Sequence, residues 1–150
     1  MIVKDVQGSL GSTGAGLCQY IAESGIEREI DTDSARSLFT DDDDSLTVDQ
    51  ANHLLGRGME IEKGELVHVV ISLRSEEFES LGDSETERRE ELTDFVREAV
   101  RELAAELDVD NLAFAAAIHR NTPNPHVHLA ISRFARSQTT ERLLRIDHLP

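Results

Sequence analysis

With 150 residues the chain has the length of one globular domain, and its hydrophobic residues, 39% of the total, are enough for one core. No apolar run approaches the roughly 18 residues of a membrane span, the start MIVKDVQGSLGSTGAG lacks a secretory signal's apolar stretch, and a lone cysteine, Cys18, excludes an internal disulfide and a thiolate metal cluster, so the expectation is a single cytoplasmic domain over 1–150. A net charge of −15 argues against a nucleic-acid partner, but the charge is uneven: residues 119–150 set Arg120, Arg133, Arg136, Arg142 and Arg145 against only Glu141 and Asp147.

Ile2–Val6 reads as a short strand. Residues 8–16, GSLGSTGAG, form a loop whose spacing fits neither the P-loop nor the dinucleotide fingerprint, because no Lys-Ser/Thr follows it; a short helix is expected at Leu17–Ser24. The run Asp41–Asp44 lacks the alternating ligands and glycine of a calcium loop and reads as a solvated acidic turn. Ser45 or Thr47 then caps a helix at Val48–Leu55. Leu66–Leu73, LVHVVISL, is rich in β-branched residues and reads as a central strand containing His68. Asp83 or Ser84 opens the longest helix, Glu85–Leu107, with Leu92, Phe95, Val96, Val100, Leu103 and Leu107 on one stripe and Glu and Arg on the other face. Asn111–His119 and His126–Phe134 read as strands joined by the turn formers Arg-Asn-Thr-Pro-Asn-Pro, and the strand of His68 is expected beside them. The tail, Thr139–Leu149, reads as a short helix or the beginning of a further element.

Successive side chains alternate faces along a strand, so His126 and His128 project together while Val127 and Leu129 turn away. If the turn closes antiparallel, His119 approaches the same face and supplies a third nitrogen. Three neutral imidazoles with open coordination positions suit Mn²⁺, Zn²⁺, Co²⁺ or Ni²⁺, with Mg²⁺, which prefers oxygen, a poorer match. A cupin-like site needs a Glu a few residues after the pair, and a histidine-triad hydrolase needs a further histidine at Ala130; neither is present.

The stretch AAIHRNTPNPHVHLAISR, residues 116–133, resembles the third motif of mobilisation relaxases, in which a histidine, an Asn-Thr or Asp-Thr step and Pro-His-x-His form the metal site. These belong to the HUH endonucleases, named for two histidines flanking a hydrophobic residue, here His126, Val127 and His128. A looser likeness extends through LVHVVISL and the long helix to an N-terminal helix bearing a tyrosine, covering most of residues 15–134. The resemblance implies an α+β fold, an antiparallel sheet of about five strands backed by helices with a ferredoxin-like core. It also implies metal-dependent, site-specific nicking and rejoining of single-stranded origin DNA during plasmid mobilisation, with accessory mobilisation proteins as partners and a C-terminal region beyond this chain.

Carried over residue by residue, the resemblance makes Tyr20, the only tyrosine, the nucleophile that forms a 5′-phosphotyrosyl enzyme. The metal is assigned to His119, His126 and His128, and phosphate contacts to Arg120, Arg133 and Arg136. His68 and Asn121 are candidates to assist, although many relatives carry Asp where this chain has Asn121. A replication-initiator or transposase-like nuclease, or a non-catalytic DNA-binding protein of the same fold, are the alternatives; covalent protein–DNA adducts distinguish the last.

Overall fold

A computed structural model describes the backbone of residues 2–6 together with residues 14, 16–29, 35–147 and 149; most of the Gly- and Ser-rich loop expected at 8–16 lies outside the described residues. Four strands, β1 (Ile2–Val6), β2 (Leu66–Ser72), β3 (Phe114–His119) and β4 (His126–Ser132), form one antiparallel sheet in the order β1-β2-β4-β3. β2 therefore lies beside the histidine hairpin, as expected.

Strand alternation divides the core in two. Val67, Val69 and Ile71 of β2, Val127, Leu129 and Ile131 of β4, and Phe114, Ala116 and Ile118 of β3 face the long helix α4 (Glu85–Glu106), which contributes Leu92, Val96, Val100 and Ala104. The other face carries Leu66, Ala115, Ala117 and Ala130, against which α1 (Gly16–Glu23) lays Leu17, Cys18, Ile21 and Ala22, and α2 (Val48–Gly56) lays Ala51 and Leu55. Three alanines on that face keep the sheet surface low under α1. Burial pushes the Cys18 thiol up to about 12, leaving it an inert core residue.

Local chemistry sets the helix starts. Thr47 and Gln50 form a capping box at α2, and Ser84 accepts from the Glu87 amide at α4. Phe95, expected on the apolar stripe of α4, is 43% exposed. The acidic turn is exposed, as expected, and is tied to α4: Arg97 donates to the Thr40 carbonyl and to Asp44, and Arg101 to Asp41. A short helix, α3 (Ser75–Glu79), adds to the expected elements.

The sheet has four strands, not about five. β4 stops at Ser132, where the Arg133 amide turns to the Glu65 carbonyl, and the chain continues into a separate two-stranded ribbon, β5 (Phe134–Arg136) with β6 (Leu143–Arg145). The tail, expected as a short helix or the beginning of a further element, is thus partly strand, over Leu143–Arg145. The Ser137 hydroxyl accepts from the Thr139 and Thr140 amides and reverses the chain between β5 and β6. No described helix is long and apolar enough to cross a membrane.

Candidate functional site

The register places four histidines on one sheet face. His119 of β3 pairs with His126 of β4, His128 pairs with Val70, and His68 of β2 pairs with Ala130, so all four side chains point toward α1. His119 and His128 stack with ring centroids 4.1 Å apart, His68 and His128 lie at 5.2 Å, and His126 and His128 at 6.4 Å. Tyr20, on α1, meets both His68 and His128 edge-on at 6.0 and 6.2 Å. It is 47% exposed, whereas His68 and His119 are buried, so the phenol stands between solvent and the imidazoles.

Hydrogen bonds restrict how the rings are used. His119 Nε2 lies 2.7 Å from the Ile21 carbonyl oxygen; a carbonyl only accepts, so Nε2 carries the proton and Nδ1 keeps its lone pair. His68 Nε2 lies 2.9 Å from His128 Nδ1, so one ring donates to the other. Burial first, then the charge of Arg36, pushes His119 down from 6.5 to about 4. Burial, then the neighbouring His119 and His68, pushes His128 down to about 2. Both are neutral at pH 7, the state a metal ligand must have.

As placed, no three His, Cys, Asp or Glu side chains among the described residues are arranged to hold a metal ion. Three of the nitrogens are engaged, His119 Nε2 with the Ile21 carbonyl and His68 Nε2 with His128 Nδ1. The donor chemistry nevertheless fits a divalent transition metal: neutral imidazoles share one face, and the ring torsion of histidine is soft enough to re-aim them.

The remaining expected residues lie as follows. Asn121 sits against Gly25, where an added Cβ would come within 2.1 Å of its Nδ2. Arg120 forms a two-point ion pair with Glu85 at 3.0 and 3.3 Å and covers the Phe78 ring. Arg133 is 8% exposed and donates to the Ile146 and Asp147 carbonyls. Arg133 is thus engaged inside the protein against the tail, whereas Arg120 and Glu85 form a part-buried pair that ties the end of β3 to α4. Arg136 is exposed and donates to the Glu141 carbonyl.

Sequence reasoning missed a buried charged pair beneath His119. Arg36 Nε lies 2.7 Å from Glu29 Oε2, with side chains only 4% and 1% exposed. The Glu29 carboxylate also accepts the Arg120 amide at 3.0 and 3.1 Å. The only sequence signal was an Arg and a Glu in a stretch with no helical or strand period.

Fold and cluster together define a class: an α+β protein whose antiparallel sheet gathers imidazoles beneath one helix-borne phenol. The particular family comes from comparison. A family model of MobL relaxases matches residues 19–145, and the chain belongs to that family. No curated protein and no solved structure matches it.

Proposed function

We propose that this protein nicks and rejoins one strand of DNA at the transfer origin of a mobile element, with Tyr20 as nucleophile and a divalent metal at His119, His126 and His128. The observation that carries the reading is the edge-on contact of the only tyrosine with His68 and His128, joining the N-terminal helix to histidines of two later strands. The histidine–hydrophobe–histidine nuclease fold belongs to the same reading.

The Tyr20 oxygen gives up its phenolic proton and attacks the scissile phosphorus, a P–O bond to Tyr20 forms, the bond to the 3′ oxygen breaks, and that oxygen takes up one proton, matching the one the phenol lost, to leave as a hydroxyl. Attack by that hydroxyl on the phosphotyrosyl ester reverses the step and reseals the strand. When bound, a divalent metal offsets charge on the phosphate oxygens. His119 would offer Nδ1, since Nε2–H is tied to the Ile21 carbonyl. His68 assists by orienting His128: if His128 Nδ1–H donates to His68 Nε2, His128 Nε2 keeps its lone pair for a ligand. Phosphate contacts fall to the exposed Arg136 and Arg145 of the ribbon and to Arg142, which immediately precedes β6. Asn121 sets the loop between β3 and β4 against the Gly25 turn that follows α1.

The experiment is incubation of the protein and a divalent metal with single-stranded oligonucleotides covering a transfer origin. A covalent adduct that survives denaturing gels, with a free 3′ hydroxyl on the released fragment, is expected. Metal-dependent DNA binding without any adduct would favour the non-catalytic alternative.

A further inference from the structure

The carbonyl of Ile21, the residue that follows Tyr20, is the meeting point of two side chains from distant parts of the chain. His119 Nε2 donates to it at 2.7 Å. Arg36 NH1 donates to it at 3.3 Å and to the Ala22 carbonyl at the same distance, while the Arg36 amide donates to Ala22 as well. Arg36 is itself fixed by Glu29 at 2.7 Å, and Glu29 receives the backbone amide of Arg120, the residue after His119. A closed circuit thus runs from the last turn of α1 through Arg36, Glu29 and the Arg120 amide to His119, and back to α1.

The geometry points to Glu29 and Arg36 as a buried positioning pair that sets where α1 carries Tyr20 relative to His119 and His128; this rests on the reading of Tyr20 as nucleophile. Neither side chain reaches the reacting atoms. A circuit built only for stability needs no shared carbonyl beside the phenol, and a buried ion pair is weak as a stabiliser because desolvation offsets its attraction. What it supplies is direction. The end of a helix has carbonyls with no intrahelical partner, and here two of them share one guanidinium nitrogen, Arg36 NH1, while Arg36 Nε is fixed by Glu29. Displacing a nucleophile by about 1 Å can cost on the order of a hundredfold in rate.

The test replaces the pair by uncharged residues of similar volume, Glu29→Gln with Arg36→Met, a change that removes the circuit without leaving a lone buried charge. Arg36→Lys is the conservative control. Two readouts are compared with wild type. One is nuclear Overhauser contact between the Tyr20 ring protons and those of His68 and His128 in metal-free protein. The other is the rate of adduct formation at saturating oligonucleotide, with its half-saturation concentration. The expected result is loss of the ring contacts and a fall in maximal rate of at least about tenfold, with half-saturation within about twofold and partial recovery in Arg36→Lys. A folded double variant with wild-type ring contacts and wild-type rate overturns the inference. If wild type forms no adduct yet the ring contacts depend on the pair, the nicking reading fails and the positioning role stands. A double variant that does not fold transfers the test to Glu29→Gln alone, where unchanged ring contacts and rate overturn it equally.

Discussion

Tyr20 and His126 touch the same cluster but serve different chemistry in the proposed reaction, so removing them should produce different defects. Tyr20→Phe deletes one hydroxyl from a half-exposed ring; metal affinity and non-covalent DNA binding should stay near wild type while the covalent adduct disappears, since no other tyrosine exists in the chain. His126→Ala removes one of the proposed ligands, and because loss of an outer partner alone costs about 10–100-fold in metal affinity, calorimetric titration should show a fall of at least about a hundredfold, with the adduct lost alongside. A Tyr20→Phe protein still joined to DNA would remove Tyr20 from the mechanism. The shared face of His126 and His128 was legible in the sequence because strand alternation is a local signal, whereas Tyr20 was singled out only by the family resemblance. Glu29 and Arg36 were not legible, because a buried acid and base in an irregular segment look like any surface pair until the tertiary fold removes the water.

Among elements, the turn after α1 has most influence on the site. Gly25 sits at φ 66°, a left-handed conformation, and a Cβ there would run into the Asn121 amide. Gly25→Ala should cost about 1–3 kcal/mol and displace the loop that links His119 to His126, lowering metal affinity as well as the denaturation midpoint. Thr47→Ala provides the contrast: it removes the α2 capping box and should cost about 1 kcal/mol with metal affinity unchanged. Equal metal affinity in the two variants would separate the Gly25 turn from the site. Most elements could be read because caps and periodicity write themselves into a sequence, as at Thr47, Ser84 and the β-branched run of β2. The ribbon could not. β6 is three exposed residues whose pairing depends on the Ser137 turn, and its Leu143 and Leu144 carry no alternation to distinguish strand from helix. Phe95 misled for a related reason: it lies at the margin of the α4 stripe, where the neighbouring Val96 points into the core instead.

For the whole molecule, charge governs both partner binding and acid stability. The exposed arginines Arg136, Arg142 and Arg145 offer positive charge on a chain of net charge −15. If they contact phosphate, replacing all three should flatten the dependence of log affinity on log salt by roughly two, at about 0.7 per single-strand contact. An unchanged slope would place the DNA elsewhere.

Acid should unfold the metal-free protein through its buried histidines, and the sign follows from where the protons go. Unfolded His119 titrates near its ordinary 6.5, whereas the folded residue, buried and facing Arg36, resists protonation down to about 4. Between these values the unfolded state binds more protons, so stability rises with pH across the window and is fully present above about 6.5. At about 1.4 kcal/mol for each pH unit, His119 alone accounts for on the order of 3 kcal/mol, a large share of the roughly 5–15 kcal/mol that holds a domain together. His128, pushed down further by burial and by His119 and His68, acts in the same direction. Glu85 extends the loss to lower pH: burial opposes its ionisation, but hydrogen bonds from Arg120 and Arg89 outweigh that and hold its carboxyl below 4.5. Urea midpoints measured in chelator from pH 8 to pH 4 should therefore stay level to about 6.5 and then fall steeply. The substitution His119→Gln, which keeps an amide donor for the Ile21 carbonyl but cannot take up a proton in this range, should flatten the upper part of that fall. If the His119→Gln protein retains the full wild-type slope between pH 6.5 and 4, His119 does not set the acid limit of the fold.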